Sequence, residues 1–298
     1  MRIVVIGRTG QVARSLQECA AGRADLAVHA VGRPDLDLAR PETIAPAIKR
    51  LAPDLVVNAA AYNAVDRAET EREQSVAVNA DGPGIVAAAA ADLKAPIIHF
   101  STDYVFDGEK GSAYTESDVP HPLSAYGRSK LDGERRVAAA NARHLVLRTA
   151  WVFSPFGQNF VDLMLRLARE RDRLQIVADQ TGSPAYAPDI AAAVLTIAAA
   201  IRDGAATFGV YHLAGPDVLT RYEFARRIFA AAAPWGAPQP RVEPVPGSRF
   251  PAAAARPNNS ALDSTRIATV FGIAMPGIDD ALSRCMGRVF APALNRPL

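Results

Sequence analysis

Arg2-Ile-Val-Val-Ile-Gly7-Arg-Thr-Gly10-Gln-Val-Ala13 is the stretch on which the fold turns. Residues 3–6 are a continuous β-branched run, as in a strand buried on both faces. Gly7 permits a tight turn, and Gly10 lets the backbone approach a pyrophosphate at the start of a helix running to about residue 20. Ala13 stands where a third glycine is common and is small enough for close helix–sheet packing. Strand, glycine turn and helix together form the front of a nucleotide-binding βαβ unit.

The rhythm continues downstream. A second strand is expected over residues 26–31, followed by Gly32-Arg33. No acidic residue stands at that strand end to grip a ribose 2′-hydroxyl. Arg33 there suits a 2′-phosphate, or is a solvated loop residue. Asp37-Leu38 precede a helix over residues 41–51. A third strand, 54–58, opens into Ala59-Ala60-Ala61, whose small side chains leave room for a flat cofactor or simply make a short-residue turn. Helical sequence runs from residue 65 to 92, a fourth strand covers 96–101 and a fifth covers 145–148. This alternation predicts an α/β fold, a doubly wound parallel sheet of Rossmann type with right-handed crossovers and ligand at the strands' carboxyl ends. Residues 1–150 read as a dinucleotide-binding domain. Residues 151–298 read as a smaller C-terminal substrate-binding region interleaved with it, with helices over 160–171, 188–202, 220–232, 264–271 and 277–289. A short strand is expected at 210–213 and an extended Pro- and Ala-rich loop over 234–257.

Chemistry concentrates between the fourth strand and the helix after it. That strand ends in Ser101-Thr102-Asp103-Tyr104, and the helix begins Ser124-Ala-Tyr126-Gly-Arg-Ser-Lys130. Tyr126 and Lys130, four apart, share one helix face. A phenol beside a fixed ammonium donates a proton near neutral pH because the cation stabilises the phenolate. Thr102 reaches the same point if strand and helix are neighbours. Thr102, Tyr126 and Lys130 together point to reduction or oxidation at a carbonyl carbon. Without Thr102 and the glycine loop, the tyrosine and lysine would read as an ordinary helix-surface pair.

Composition narrows the partners. Hydrophobic residues make up 49% of the 298, enough for a substantial core, and a formal charge of +2 argues against a nucleic-acid or acidic-membrane surface. The two cysteines, Cys19 and Cys285, read as buried thiols in a reducing compartment. The five histidines lack metal-ligand spacing. The longest apolar run, residues 190–201, is too short to span a bilayer, and no signal-peptide pattern opens the sequence. A cytoplasmic protein is expected.

Six motifs occur in order: Gly7-Arg-Thr-Gly-Gln-Val, Asn58-Ala-Ala-Ala with Val65-Asp66, Ser101-Thr-Asp-Tyr-Val-Phe, Tyr126-Gly-Arg-Ser-Lys130, Arg148-Thr-Ala-Trp-Val-Phe and Arg256-Pro-Asn-Asn-Ser-Ala-Leu. Over nearly the whole chain the sequence resembles the dTDP-4-dehydrorhamnose reductases, extended short-chain dehydrogenase/reductases. The resemblance implies an NADPH- or NADH-dependent enzyme acting on a dTDP-keto-sugar, with Tyr126 protonating the C4 oxygen as hydride arrives. It implies that Lys130 holds the nicotinamide ribose and lowers the Tyr126 pKa, while Thr102 hydrogen-bonds the carbonyl. Sugar contacts fall on Val65, Asp103, Tyr104 and Trp151. Cofactor contacts fall on Gly7, Gly10, Gln11, Val12, Asp37, Leu38, Ala59, Ala60 and Ala61. Some members dimerise through magnesium held by a glutamate in the first helix; Ser15 stands there here, so no metal is expected and the state is a monomer or weak homodimer. The Arg256 motif holds a diphosphate or pins the C-terminal loop. Two alternatives share the resemblance, an NADP-binding regulatory subunit of methionine adenosyltransferase type and a nucleotide-sugar epimerase.

Overall fold

A computed structural model describes residues 1–290. Six strands make one parallel sheet: β1 (Arg2–Ile6), β2 (Ala27–Val31), β3 (Leu55–Asn58), β4 (Ile97–Thr102), β5 (His144–Thr149) and β6 (Gly209–His212). Their spatial order is β2-β1-β3-β4-β5-β6. The order reverses between β1 and β3, so the crevice outside their carboxyl ends is where a ligand is received. Alternate side chains serve opposite layers, which explains why the strands read as unbroken apolar runs. Ile3, Val5, Leu55, Val57, Ile98 and Phe100 face one layer, and Val4, Ile6, Val56 and Ile97 the other.

The first layer is made by α1 (Gln11–Ala20) and a helix from the second half of the chain, Ala187–Arg202. The second contains α2 (Pro41–Leu51), α3 (Gly82–Asp92) and α4 (Ala125–Ala140). Helix α4 begins where the Ser124 hydroxyl accepts the Gly127 amide at 3.1 Å, an N-cap that sets Tyr126 in its first turn. The continuous helix expected over residues 65–92 is instead broken. A 3₁₀ turn (Arg67–Glu69), a short helix (Arg72–Val76) and a π-type turn (Ala77–Asp81) precede α3. Pro83 has no amide hydrogen to continue the α-helical ladder, and the widened turn lies just before it.

The second half builds its own core. Helices α5 (Phe160–Glu170), α7 (Arg221–Ala232) and α9 (Ile278–Phe290) pack around Phe153, Met164, Phe224, Leu282 and Met286; α6 is Ala187–Arg202 and α8 is Thr265–Phe271. Besides short two-residue strands, two longer ones there escape sequence reading. Arg173–Val177 pairs in parallel with Arg241–Val245, inside the stretch expected to be a loop. Pro244 argues against a strand by sequence, but a two-stranded ribbon leaves each strand an open edge on which the missing amide is harmless. The two halves interlock, since α6 and β6 belong to the sheet of the first.

Candidate active site

A cleft of about 1360 Å³ opens over the carboxyl ends of β1 and β3. Gly7, Gly10, Arg33, Asp37, Leu38, Ala59, Ala60 and Ala61 all line it. Gly7 turns at φ +117° and its amide donates to the Val31 carbonyl at 2.8 Å, joining the glycine loop to β2. No side chain caps the N-terminus of α1, so its first amides remain available to an anion. Opposite, Ala59–Ala61 present no side-chain atom beyond Cβ. Their loop is held by Asn79, whose amide accepts from the Tyr62 N–H at 2.8 Å and donates to the Tyr62 carbonyl at 3.1 Å and to the Ser129 hydroxyl of α4 at 3.1 Å. The residues present therefore fit a flat dinucleotide with a pyrophosphate.

Other expected contacts are placed differently. Gln11 turns away, donating to the Val152 carbonyl at 3.3 Å and accepting from Ser154 at 2.7 Å, and Val12 packs on the sheet core. Neither lines the cleft. The Asp37 carboxylate accepts from the Ala39 amide at 3.0 Å and shapes its own turn. Arg33 is exposed on the cleft wall beside Arg8, which is bonded to Asp35 and to the Arg33 carbonyl. Sequence reading passed over Arg8, a residue inside the glycine loop that looks like filler between Gly7 and Gly10.

Thr102 and Tyr126 come close at the end of β4, near enough for the threonine hydroxyl to temper the rise that burial causes in the phenol's pKa. Thr102 also donates to Asp103 Oδ1 at 2.9 Å and accepts the Tyr104 amide at 3.2 Å. Tyr126 shares an apolar cluster with Tyr62, which lines the first cleft, and with Tyr104, which lines a second. Lys130 lies one helical turn on, 2% exposed, with Nζ donating to the Phe100 carbonyl at 2.6 Å. Burial pulls the ammonium down to about 8, opposed by the Glu134 carboxylate. The expected lowering of the Tyr126 pKa is overturned in this geometry. Burial pushes the phenol well above its ordinary range, and Lys130, engaged with the β4 backbone, is not among the charges acting on it.

Below these groups, Ser101, Glu134 and Arg148 form a buried network tying β4, α4 and β5 together. Glu134 takes Arg148 in a fork at 3.0 and 2.7 Å and is hydrogen-bonded by Ser101. Asp103, 2% exposed, is pushed up to about 6 by burial, held back in part by the Thr102 hydroxyl that donates to its Oδ1, and its Oδ2 has no partner.

The second cleft, about 1130 Å³, is lined by Tyr104, Phe160, Arg221, Phe250, Asp66 and Arg256 among others. Val65 packs beside Tyr126 and Tyr104. Trp151 lines neither cleft. It adopts φ +43°, and its indole lies against Gly182 with the Arg221 guanidinium 3.5 Å over the ring. A Cβ at position 182 would collide with that indole, so glycine is what admits it. Arg256 forks onto Asp66 at 2.7 and 3.2 Å. Asn259 donates to the Lys110 and Ser112 carbonyls at 2.7 and 2.8 Å, and the Ser260 amide to the Thr181 carbonyl at 2.9 Å. These contacts tie the motif to the late loop, while Arg256 also lines the second cleft.

Ser15 is buried and donates to the Gln11 carbonyl at 2.8 Å. Among the described residues, no group of three or more His, Cys, Asp or Glu is placed to hold a metal ion, and no helix is long and apolar enough to cross a membrane.

A parallel sheet with its ligand crevice at the β1/β3 switch, and a threonine and tyrosine meeting at the end of β4, define an extended short-chain dehydrogenase/reductase. Residues 1–290 match the family described as RmlD substrate binding domain. The chain belongs to the dTDP-4-dehydrorhamnose reductase family. It is 44% identical to a dTDP-4-dehydrorhamnose reductase of Sinorhizobium fredii, covering 95% of this chain and 96% of that one. A solved dTDP-4-dehydrorhamnose reductase from Clostridium acetobutylicum superposes with a TM-score of 0.89 at 33% identity, covering 96% and 98% of the two chains. Another from Bacillus anthracis, solved in complex with NADP, gives 0.88 at 32% identity over 95% and 98%.

Proposed function

We propose that this chain reduces the C4 keto group of dTDP-4-dehydro-6-deoxy-L-lyxo-hexulose to give dTDP-L-rhamnose, using NADPH or NADH. The observation that carries the reading is the convergence of Thr102 and Tyr126 where β4 ends, with Tyr126 packed against Tyr62 of the first cleft and Tyr104 of the second. When bound, the nicotinamide supplies the hydride; Gly7, Gly10 and the α1 amides would hold its pyrophosphate, Ala59–Ala61 its flat rings and Lys130 the ribose. Arg33 offers a cation to the 2′-phosphate of NADPH.

Tyr126 supplies the proton. Its raised pKa keeps the phenol protonated at rest, and the C4 oxygen, once it carries an alkoxide's charge, is basic enough to take that proton. Thr102, turning its one hydroxyl hydrogen from Asp103 Oδ1 to the substrate, donates to the same oxygen, and the phenolate left behind is then reprotonated from solvent. Asp103, Tyr104, Val65 and Trp151 shape the sugar side, Trp151 and Asp103 from behind the surface. Residues 1–150 act as the dinucleotide-binding part and 151–298 mainly as the substrate-binding part. The free thiols of Cys19 and Cys285 favour the cytoplasm, and a net charge of +2 gives no reason to invoke nucleic acid. A monomer or weak homodimer completes the reading.

Oxidation of NADPH dependent on the keto-sugar nucleotide tests it. Tyr126→Phe should lower kcat by about 10²- to 10⁴-fold while leaving NADPH binding intact. An epimerase would return the hydride and show no net oxidation, and a regulatory subunit would show none either. A Phe variant with near-parent turnover removes Tyr126 from the mechanism.

A further inference from the structure

Four arginines line the second cleft: Arg171, Arg173, Arg221 and Arg256. Arg173 is paired with Glu243 at 2.5 Å and Arg256 with Asp66 at 2.7 Å, while Arg171 stands exposed in solvent, where its charge is screened. Arg221 differs from all three. It is partly buried, and no carboxylate among the described residues forms an ion pair with it. One face of its guanidinium is stacked on Trp151 at 3.5 Å, with Phe160 at 5.4 Å, and Tyr104 lines the same cleft. Stacking fixes the plane of the group and leaves its N–H edge free, the arrangement suited to a forked contact with phosphate oxygens. The Asp103 carboxylate acts on it only through space, without an ion pair, so a cation taken partly out of water remains a cost to the fold that a ligand's anion would offset.

Position supports the same reading. Tyr104 links Arg221 to the reacting centre, since its ring meets Tyr126 edge-on with centroids 5.8 Å apart. A hexose with C4 at Thr102 and Tyr126 carries its anomeric phosphate across the width of one pyranose ring. We propose that Arg221 is the anion-holding residue of this cleft, taking the diphosphate of the sugar nucleotide, while Asp66 keeps Arg256 occupied as a loop pin. The inference rests on the reduction proposed above and deepens it, assigning the phosphate charge to a residue no motif marks.

Calorimetric titration of the full chain with thymidine diphosphate, thymidine and NADPH tests this, using Arg221→Gln, Arg221→Lys and Arg256→Gln. Arg221→Gln should weaken thymidine diphosphate about 10- to 100-fold and leave thymidine and NADPH unchanged. Arg221→Lys should restore little, because an ammonium neither stacks flat nor forks. Arg256→Gln should lower the melting temperature with a smaller effect on thymidine diphosphate. Parent-like diphosphate binding by Arg221→Gln overturns the assignment, as does an equal loss of thymidine, which marks a merely structural role. A parent that binds no thymidine diphosphate instead overturns the sugar-nucleotide reading itself, and this inference with it.

Discussion

Replacing Glu134 by Gln separates two jobs that one carboxylate performs. Its side chain is 6% exposed and accepts from Ser101 and from Arg148 Nε and Nη2, while Arg148 Nη1 is already without a partner. Gln keeps one acceptor and turns the other into a donor facing an arginine N–H, leaving a buried guanidinium without counter-charge. Removing one member of such a pair costs about 3–5 kcal/mol. For a chain this long that corresponds to a melting temperature lower by roughly 5–8 °C. The second effect reaches catalysis. Glu134 is the charge that opposes the burial of Lys130, whose ammonium already sits near 8. Without it the lysine loses its proton at lower pH, so the alkaline limb of the NADPH-oxidation profile shifts downward. Scanning calorimetry and rates measured on either side of about pH 8 read both effects. A double variant, Glu134→Gln with Arg148→Met, should recover much of the stability but none of the shift. If Glu134→Gln melts with the parent, the network is not holding β4, α4 and β5. If it melts early with an unmoved alkaline limb, Glu134 does not sustain the charge on Lys130.

Asp103, raised above its ordinary carboxyl value to about 6, holds its proton more tightly folded than unfolded, so its contribution to stability is lost as pH rises through about 6. Asp103→Asn should gain on the parent across that interval, by about 3 kcal/mol at most, in melting curves recorded at several pH values. Lys130→Met, free of the burial cost of an ammonium but lacking the bond to the Phe100 carbonyl, should melt above the parent at neutral pH by about 1–2 kcal/mol and show no turnover. Gly182→Ala forces the Trp151 indole aside at a cost of about 1–3 kcal/mol; the KM for the sugar nucleotide should rise with NADPH affinity unchanged. Activity should survive a metal chelator, because Ser15 offers no carboxylate; loss on chelation with recovery on magnesium would refute that.

Patterns of one residue type at one spacing were readable in the chain. The β-branched run into Gly7, the small residues after Asn58 and the Tyr126–Lys130 pair each state a backbone geometry that the structure adopts. What escaped depends on distance in sequence. Arg221 opens a helix behind a Thr220–Glu223 capping box, and nothing local distinguishes it from a solvated helix-start arginine. Its setting is made by Trp151 and Tyr104, 70 and 117 positions away (221 − 151 and 221 − 104). The Arg173–Val177 and Arg241–Val245 ribbon is likewise a long-range pairing, masked by Pro244. The Tyr126 pKa was misjudged because helical spacing gives the direction of a lysine but not the carbonyl that captures it.

The sheet's sixth strand and the helix Ala187–Arg202 come from beyond the point where the chain has already entered its other half. During synthesis the backbone edge of His144–Thr149 therefore stays uncovered until residue 212 has emerged, along with Ile98, Leu145 and Leu147, which Ile190, Val194 and Tyr211 later cover. A fragment ending near residue 150 would carry a bare strand edge and an unroofed apolar face, and would self-associate rather than bind a nucleotide.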